Sequence, residues 1–262
     1  MDPDKASFFI EHSYHIRELK LNMENFESFV NSRCTRLRKL SLEFVYREPD
    51  GDEEIDYDFD GFQRYDTDEE DDVDSVNGGT PPVTKLNKPA CAADLIQRNH
   101  CLRFLHIIHA SRQHMQPCRP LAEPILQAIE NHPFLTTIRI TTKLCCLVFI
   151  KILHHLPQQL QELNVLVCNL DEDNRGHRHC NVEPYQFKTK EPPFGLRHLF
   201  LNGALACFVG PILIQLLERC PQLEELGLPY LHDEFDINKM VQVLDTCCPR
   251  LHTLNQEQYH TN

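Results

Sequence analysis

The chain has 262 residues, 41% of them hydrophobic, with no Trp and a formal net charge of −13. Its apolar runs are too short to cross a bilayer, its first residues lack the pattern of a secretory signal, and no long stripe of Lys and Arg is present. We therefore expect a cytoplasmic or nuclear protein that binds neither membrane nor nucleic acid and keeps its 12 cysteines reduced.

The first element in chain order that departs from the average composition is an acidic segment. Residues 48–74 hold fifteen Asp or Glu and one Arg, a net charge of −14. The remainder of the chain carries 25 Lys and Arg against 24 Asp and Glu, so it is close to neutral. High net charge and low hydrophobicity oppose a packed core, so residues 48–90 are predicted to be a disordered acidic insert.

A six-residue phrase, apolar-x-x-apolar-x-apolar, recurs on both sides of this insert. Its copies start 21 to 36 residues apart, except for the interval of 65 residues that contains the insert. An eighth copy begins at Leu251 but has Gln256 at its third apolar position. The seven full copies are Ile16-Leu19-Leu21, Leu37-Leu40-Leu42, Leu102-Leu105-Ile107, Leu135-Ile138-Ile140, Leu160-Leu163-Val165, Leu196-Leu199-Leu201 and Leu223-Leu226-Leu228.

The segments between the phrases have apolar residues at helical spacing. These predicted helices cover 26–34, 122–132, 146–156, 210–220 and 237–247. Several are followed by a proline that suits a helix stop, namely Pro133, Pro157, Pro221 and Pro249. Four cysteines lie just before the strands, where we expect them to pack as small apolar residues: Cys34, Cys101, Cys220 and Cys248. The pattern predicts first repeats in 1–47, the insert in 48–90, further repeats of the same solenoid in 91–256 and a polar tail in 257–262.

Three stretches are similar to a known family. "RCTRLRKLSL" (33–42), "RCPQLEELGL" (219–228) and "CCPRLHTL" (247–254) resemble the C-P-x-L-x-x-L-x-L units of F-box/leucine-rich-repeat proteins, the ribonuclease-inhibitor-like branch. The resemblance implies an α/β leucine-rich-repeat solenoid, a horseshoe with a parallel sheet on its concave face and helices on its convex face. It also implies a non-catalytic protein-interaction module, like the substrate-recognition region of an F-box-type ubiquitin-ligase adaptor.

The F-box itself has no place in this sequence. Only fifteen residues precede Ile16, whereas the module needs about forty, so the resemblance implies that the F-box was lost or belongs to a longer gene product. A ubiquitin-ligase scaffold is therefore an expected partner only if an upstream F-box exists.

Alternating strand residues define the candidate binding surface. If the second and third apolar positions of each phrase face the core, the residues beside them face a protein partner. The candidate protein-binding residues on the concave face are Lys20, Lys39, Phe104, His106, Arg139, Asn164, His198, Phe200 and Glu225.

The motifs that could hold a metal are incomplete. "DYDFDG" (56–61) matches the first half of an EF-hand loop, but Thr67 stands where calcium requires a bidentate Glu. "GHRHC" (176–180) lacks the spacing of zinc ligands. No nucleophile has an evident base and no glycine-rich phosphate loop is present, so we expect no catalytic, cofactor or metal site.

The acidic insert supports an alternative function. A stand-alone leucine-rich-repeat regulator or inhibitor could bind a basic protein through this segment, and Thr67, followed by three acids, is a possible phosphosite. Charge complementarity also suggests the hypothesis that the insert folds back over Lys20, Lys39 and Arg139.

Overall fold

A computed structural model describes most of the repeat region of the chain. The segment 48–74, Thr67, the motif at 176–180 and the tail 257–262 lie outside the described residues. The described residues are 15–23, 34–45, 88–110, 121–144, 146–167, 194–205, 209–228, 230–231 and 236–256.

Strands and helices alternate along these residues. The strands are β1 (Glu18–Asn22), β2 (Lys39–Val45), β3 (Phe104–Ala110), β4 (Thr137–Leu144), β5 (Glu162–Val167), β6 (His198–Leu205), β7 (Glu225–Leu228), β8 (Tyr230–Leu231) and β9 (Thr253–Gln256). The helices are α1 (Lys88–Arg98), α2 (Glu123–Glu130), α3 (Cys146–His154), α4 (Val209–Leu217) and α5 (Ile237–Cys247).

The strands form one open sheet in which every pairing is parallel. Its order is β1-β2-β3-β4-β5-β6-β7-β9, and the short β8 pairs with the end of β6. Each of the eight phrases therefore supplies one strand of the ladder, including the incomplete copy that ends at Gln256. The predicted α/β class with a single parallel sheet is confirmed.

The apolar positions of the phrases form the core between sheet and helices. The first and second positions of the inner repeats, such as Leu102 and Leu105, have no exposed surface. They belong to the same buried cluster as helix residues such as Leu95 and Ile125. Since burying one such side chain stabilises a protein by about 1.5–3 kcal/mol, stacking of the repeats dominates the stability of the fold.

The strands are aligned from their first residue by a repeated backbone contact. Two consecutive N–H groups at the start of each strand donate to one carbonyl of the preceding repeat. Arg38 N and Lys39 N donate to Arg17 O at 2.7 and 3.0 Å, and Arg103 N and Phe104 N donate to Arg38 O at 3.0 and 3.1 Å. The same pair of bonds recurs before β4, β5, β6, β7 and β9. We call the margin where the strands begin the N-terminal edge of the sheet.

The residue three positions before the phrase is buried in all six repeats in which the structure describes it. Cys34, Cys220 and Cys248 occupy this position as predicted, with exposures of 0%, 0% and 3%. Cys101 is exposed, and its predicted burial is wrong. The reason is its register, because Cys101 directly precedes Leu102 whereas the other three cysteines lie three residues before the phrase.

Two repeats place a polar residue at this buried position. Asn99 accepts a hydrogen bond from Leu37 N at its Oδ1 (3.0 Å) and donates from Nδ2 to Leu95 O (2.7 Å). Its carbonyl lies 3.0 Å from His132 Nε2, while Phe134 N donates to His132 Nδ1 at 3.3 Å. His132 is therefore neutral with its proton on Nε2, and the pair connects consecutive repeats through the core.

One helix was not singled out by the sequence pattern. Helix α1 begins at Lys88, so residues 88–90, which the prediction placed in the insert, are helical. Its buried face is built partly from Ala92 and Ala93, whose small side chains give a weak hydrophobic signal. It packs against α2, and its buried residues belong to the same hydrophobic cluster as those of β3.

Candidate functional site: the open face of the sheet

The parallel register arranges the outward-facing strand residues in two rows. The first row is Glu18, Lys39, Phe104, Thr137, Glu162, His198, Glu225 and Thr253. The central row is Lys20, Ser41, His106, Arg139, Asn164, Phe200, Gly227 and Asn255. All nine residues predicted from the sequence fall in these two rows. We call the two rows the open face, since none of the described helices packs on it.

The cations of the open face have acidic neighbours. Lys39 Nζ lies 2.9 Å from Glu18 Oε1, on the adjacent strand. Lys20 Nζ lies 3.4 Å from a Glu43 carboxylate oxygen, and Arg139 Nη2 lies 3.7 Å from Glu162 Oε1. The three cations that were expected to attract the acidic insert are therefore partly neutralised within the sheet. The insert itself lies outside the described residues, and its folding back stays a hypothesis.

His106 stands at the centre of the early strands. Its Nε2 lies 2.8 Å from Thr141 Oγ1, and its ring meets Phe104 edge-on with centroids 6.4 Å apart. Burial lowers the pKa of His106, and the positive charges of Arg139 and Lys20 lower it further. At neutral pH the imidazole is therefore uncharged and can take part in hydrogen bonds as donor or acceptor.

Arg139 carries an unsatisfied polar atom. Its Nε is buried and has no hydrogen-bond partner among the described residues, although 44% of the side chain is exposed. A buried donor without a partner costs about 1–3 kcal/mol, and such groups are uncommon in folded proteins. The central row thus contains an arginine whose side chain combines a buried donor with a large exposed surface.

The late strands present an aromatic platform. A Cβ atom on Gly227 would lie 2.7 Å from Phe200 Cδ1, so the ring of Phe200 occupies the space above this glycine. Beside it, Asn202 Nδ2 donates to Asn164 Oδ1 at 2.9 Å, which orients both amides. Phe200 is held in place by a neighbour that only glycine can supply at this distance.

A second set of residues was missed by the sequence analysis. Arg17, Arg38 and Arg103 directly precede β1, β2 and β3 at the N-terminal edge, and Arg36 lies beside them. Together with Cys101, the first two and Arg36 line a cavity of about 220 Å³. The sequence signal for these residues is an arginine at the second position of the phrase. The first three copies begin I-R-E-L, L-R-K-L and L-R-F-L.

The chemistry available to a catalyst or metal is limited in the described residues. Over these residues no group of three or more His, Cys, Asp or Glu side chains is placed to hold a metal ion. Burial raises the pKa of Cys248 to about 11 and also raises the pKa of Cys220. Both sulfurs are therefore protonated thiols at neutral pH and poor nucleophiles.

The comparisons with known proteins leave the family of the chain open. A scan against protein-family models and a search of curated proteins both returned no match. Among the described helices, none has the length and apolar character needed to cross a bilayer.

Proposed function

We propose that the chain is a leucine-rich-repeat protein of the F-box/leucine-rich-repeat type, and that its open face is the concave, partner-binding face of a horseshoe. Its function is non-catalytic protein recognition, as in the substrate-recognition region of an F-box-type ubiquitin-ligase adaptor. The repeat phrase, the single parallel sheet and the similarity of 33–42 and 219–228 to that family support this proposal.

One observation carries the functional part of the proposal. The constant register of eight parallel strands brings outward-facing side chains from most of the chain into two continuous rows. These rows contain aromatic residues and an arginine, Phe104, Phe200 and Arg139, which are the residue types that dominate binding energies at protein interfaces. None of the three belongs to the buried core of the described residues, and their position on the open face favours recognition.

The decisive experiment maps the partner onto a face of the protein. A photo-crosslinking residue is placed in the full chain at Asn164 on the open face and, as a matched control, at exposed Lys151 on α3. Proteins captured from Asn164 but not from Lys151 are purified and their affinities measured. Phe200→Ala and Arg139→Ala are then expected to weaken binding about tenfold or more, whereas Lys151→Ala leaves it unchanged. Equal affinities for all variants would reject the open face as the binding surface.

The adaptor part of the proposal has a separate test. If the chain belongs to a longer gene product with an upstream F-box, that longer protein binds a ubiquitin-ligase scaffold in a pulldown and this chain alone does not. Scaffold binding by neither protein would leave the repeats as a recognition module without a ligase. A fluorescent fusion of the full chain tests the proposed cytoplasmic or nuclear localisation.

The acidic segment favours a second candidate function. With a net charge of −14 over residues 48–74, the chain could bind a basic protein and act as a stand-alone regulator or inhibitor. Titration of histones with the full chain and with a variant lacking 48–74 separates the two functions. Binding that is lost on deletion supports the regulator, and binding that persists contradicts it.

A further inference from the structure

The N-terminal edge of the sheet brings together arginines that belong to separate repeats. Arg17, Arg38 and Arg103 occupy the same position in three successive repeats, and their backbones are joined by the paired hydrogen bonds that open β2 and β3. Since neighbouring strands lie about 4.8 Å apart, their side chains start from adjacent steps of one ladder. Arg36 adds a fourth guanidinium, and its carbonyl accepts a 3.4 Å hydrogen bond from Arg17 Nη1.

These four arginines, which we call the arginine cluster, have no counter-charge among the described residues. All four are exposed, and no described carboxylate lies within 4.0 Å of any of them. A later repeat shows the contrast. Arg197 occupies the same position before β6. Its Nη2 donates to both carboxylate oxygens of Glu224, at 2.7 and 2.8 Å. Hydrogen bonding by Arg197 accordingly lowers the pKa of Glu224.

The arginine cluster borders an open depression of the surface. The depression, with a volume of about 220 Å³, is lined by Arg17, Arg36, Arg38 and Cys101. An open depression of this size is large enough to admit a phosphate group. Arginine forks donate pairs of hydrogen bonds to oxyanions, and a phosphorylated side chain offers three oxygens and a charge of about −1.5 to −2. Several guanidiniums are therefore better matched by a phosphate than by a single carboxylate.

Other polyanions fit the molecule less well. The cavity lining contains no aromatic side chain on which a nucleic-acid base could stack. The sequence has no long stripe of Lys and Arg that could follow the backbone of a nucleic acid or cover an anionic membrane surface. A short peptide with one concentrated negative group needs no such stripe.

We propose that the arginine cluster is a binding site for a phosphorylated side chain in a peptide segment of a partner protein. Binding replaces the mutual repulsion of the four guanidiniums by charge-assisted hydrogen bonds. The site lies at the N-terminal edge and not on the open face, so the proposal does not rest on the function proposed above.

The test uses the full chain and fluorescent peptides that carry one phosphoserine, phosphothreonine or phosphotyrosine at a fixed position among randomised residues. Fluorescence anisotropy compares each pool with its unphosphorylated counterpart, with a short single-stranded RNA and with phosphatidylserine vesicles. We expect at least one phosphorylated pool to bind most tightly. Equal binding of phosphorylated and unphosphorylated pools, or tighter binding of RNA or vesicles, overturns the proposal.

Matched variants locate the binding. Arg38→Gln is expected to weaken phosphopeptide binding about tenfold or more, and Arg38→Lys, which keeps the charge but not the fork, less than that. Arg197→Gln changes an arginine at the same repeat position outside the cluster and leaves the affinity unchanged. Circular dichroism confirms that each variant is folded. Equal losses for Arg38→Gln and Arg197→Gln, or no loss for either, overturn the assignment.

Cys101 provides a readout at the site itself. Because its thiol is exposed and lines the cavity, a bound phosphopeptide should slow its alkylation by iodoacetamide, measured by peptide mass spectrometry. Alkylation of the partly exposed Cys247 is the control and stays constant. An unchanged rate at Cys101 in the presence of saturating phosphopeptide contradicts the location.

The open face and the acidic segment are separated from this site by two further variants. Phe200→Ala leaves phosphopeptide binding unchanged if the two surfaces are independent. Deletion of residues 48–74 is also expected to leave the affinity unchanged. Tightening by about tenfold or more on deletion would assign the cluster to the chain's own acidic segment and overturn the assignment to a partner.

Discussion

The open face and the arginine cluster differ in whether their cations have acidic partners. On the open face, Lys20, Lys39 and Arg139 each have a glutamate within 4.0 Å on an adjacent strand. At the N-terminal edge, the arginine cluster has none among the described residues. The difference arises from which side chains the adjacent strands bring together. Glu18, Glu43 and Glu162 lie on strands next to the three cations, whereas consecutive repeats bring Arg17, Arg38 and Arg103 next to one another.

The largest expected effect comes from a substitution in the core that both regions share. Leu105 lies in β3, between Arg103 of the arginine cluster and His106 of the open face, and its side chain is fully buried. Leu105→Ala should lower the free energy of unfolding by about 2–5 kcal/mol, through lost burial and a cavity. Urea denaturation followed by circular dichroism measures the loss. Ser41→Ala on the open face is the control, and a loss below about 1 kcal/mol for Leu105→Ala would contradict a shared core.

The next effect concerns the polar connection beneath the arginine cluster. Asn99→Ala leaves the buried N–H of Leu37 without its acceptor, and Leu37 lies between Arg36 and Arg38. We expect a loss of about 1–3 kcal/mol in the free energy of unfolding. Asn131→Ala removes an exposed amide that donates to Gln127 O and serves as control. Equal losses in the free energy of unfolding for the two substitutions would contradict a larger contribution from the buried hydrogen bond.

A smaller effect is expected on the aromatic platform of the open face. In Gly227→Ala the new methyl group would lie 2.7 Å from Phe200 Cδ1, so the ring must move. We expect a loss of about 1 kcal/mol in the free energy of unfolding. In a double-mutant cycle with Phe200→Ala, most of that loss should disappear. Additive effects of the two substitutions would mean that the ring does not depend on this glycine.

The buried connection and the open face each contain a histidine whose pKa is lowered by burial. Burial is the main cause that lowers the pKa of His132 below its ordinary value. Its contribution to stability is therefore present above the unfolded pKa of about 6.5 and is lost as the pH falls through the lower folded value. His132→Gln should flatten the fall in melting temperature below that pH. His106→Gln should change the pH profile in the same direction, since burial also lowers the pKa of His106. An unchanged pH profile in His132→Gln would contradict the prediction.

The smallest effect is expected for the paired cations. Lys39→Met removes the 2.9 Å contact with Glu18, but both side chains are more than half exposed. Exposed ion pairs contribute about 0–1 kcal/mol, so the free energy of unfolding should change by less than about 1 kcal/mol. Glu18→Gln is the matched change on the other side of the pair. A much larger loss, or one that high salt fails to reduce, would contradict this description of the open face.

The strands and their register were predictable because the apolar positions of the phrase leave few alternatives. Leu40, Leu105 and Ile138 are fully buried neighbours in the ladder, as their spacing predicted. The same spacing placed Phe104 and His106 on the outward side. The pairing of Lys39 with Glu18 could not be predicted, because it depends on which strands are adjacent and on how two flexible side chains meet.

Other features were hidden from the sequence for identifiable reasons. Helix α1 uses small alanines and lies next to the acidic segment, so its pattern is weak. The exposure of Cys101 depends on a shift of two residues from the buried position held by Asn99. The arginine cluster is spread over a stretch from Arg17 to Arg103 and becomes a cluster only through the parallel ladder.

The paired backbone bonds at the start of each strand divide the molecule into a constant side and a variable side. Helices α1 to α5 reach the next strand through short connections, whereas 46–87, 111–120 and 168–193 all follow the C-terminal ends of strands. Segments can thus be lengthened, shortened or exchanged after a strand without moving the residues that precede it. For protein engineering, this makes the C-terminal ends of β2, β3 and β5 the places to graft new loops, while the opposite margin serves as a fixed reference.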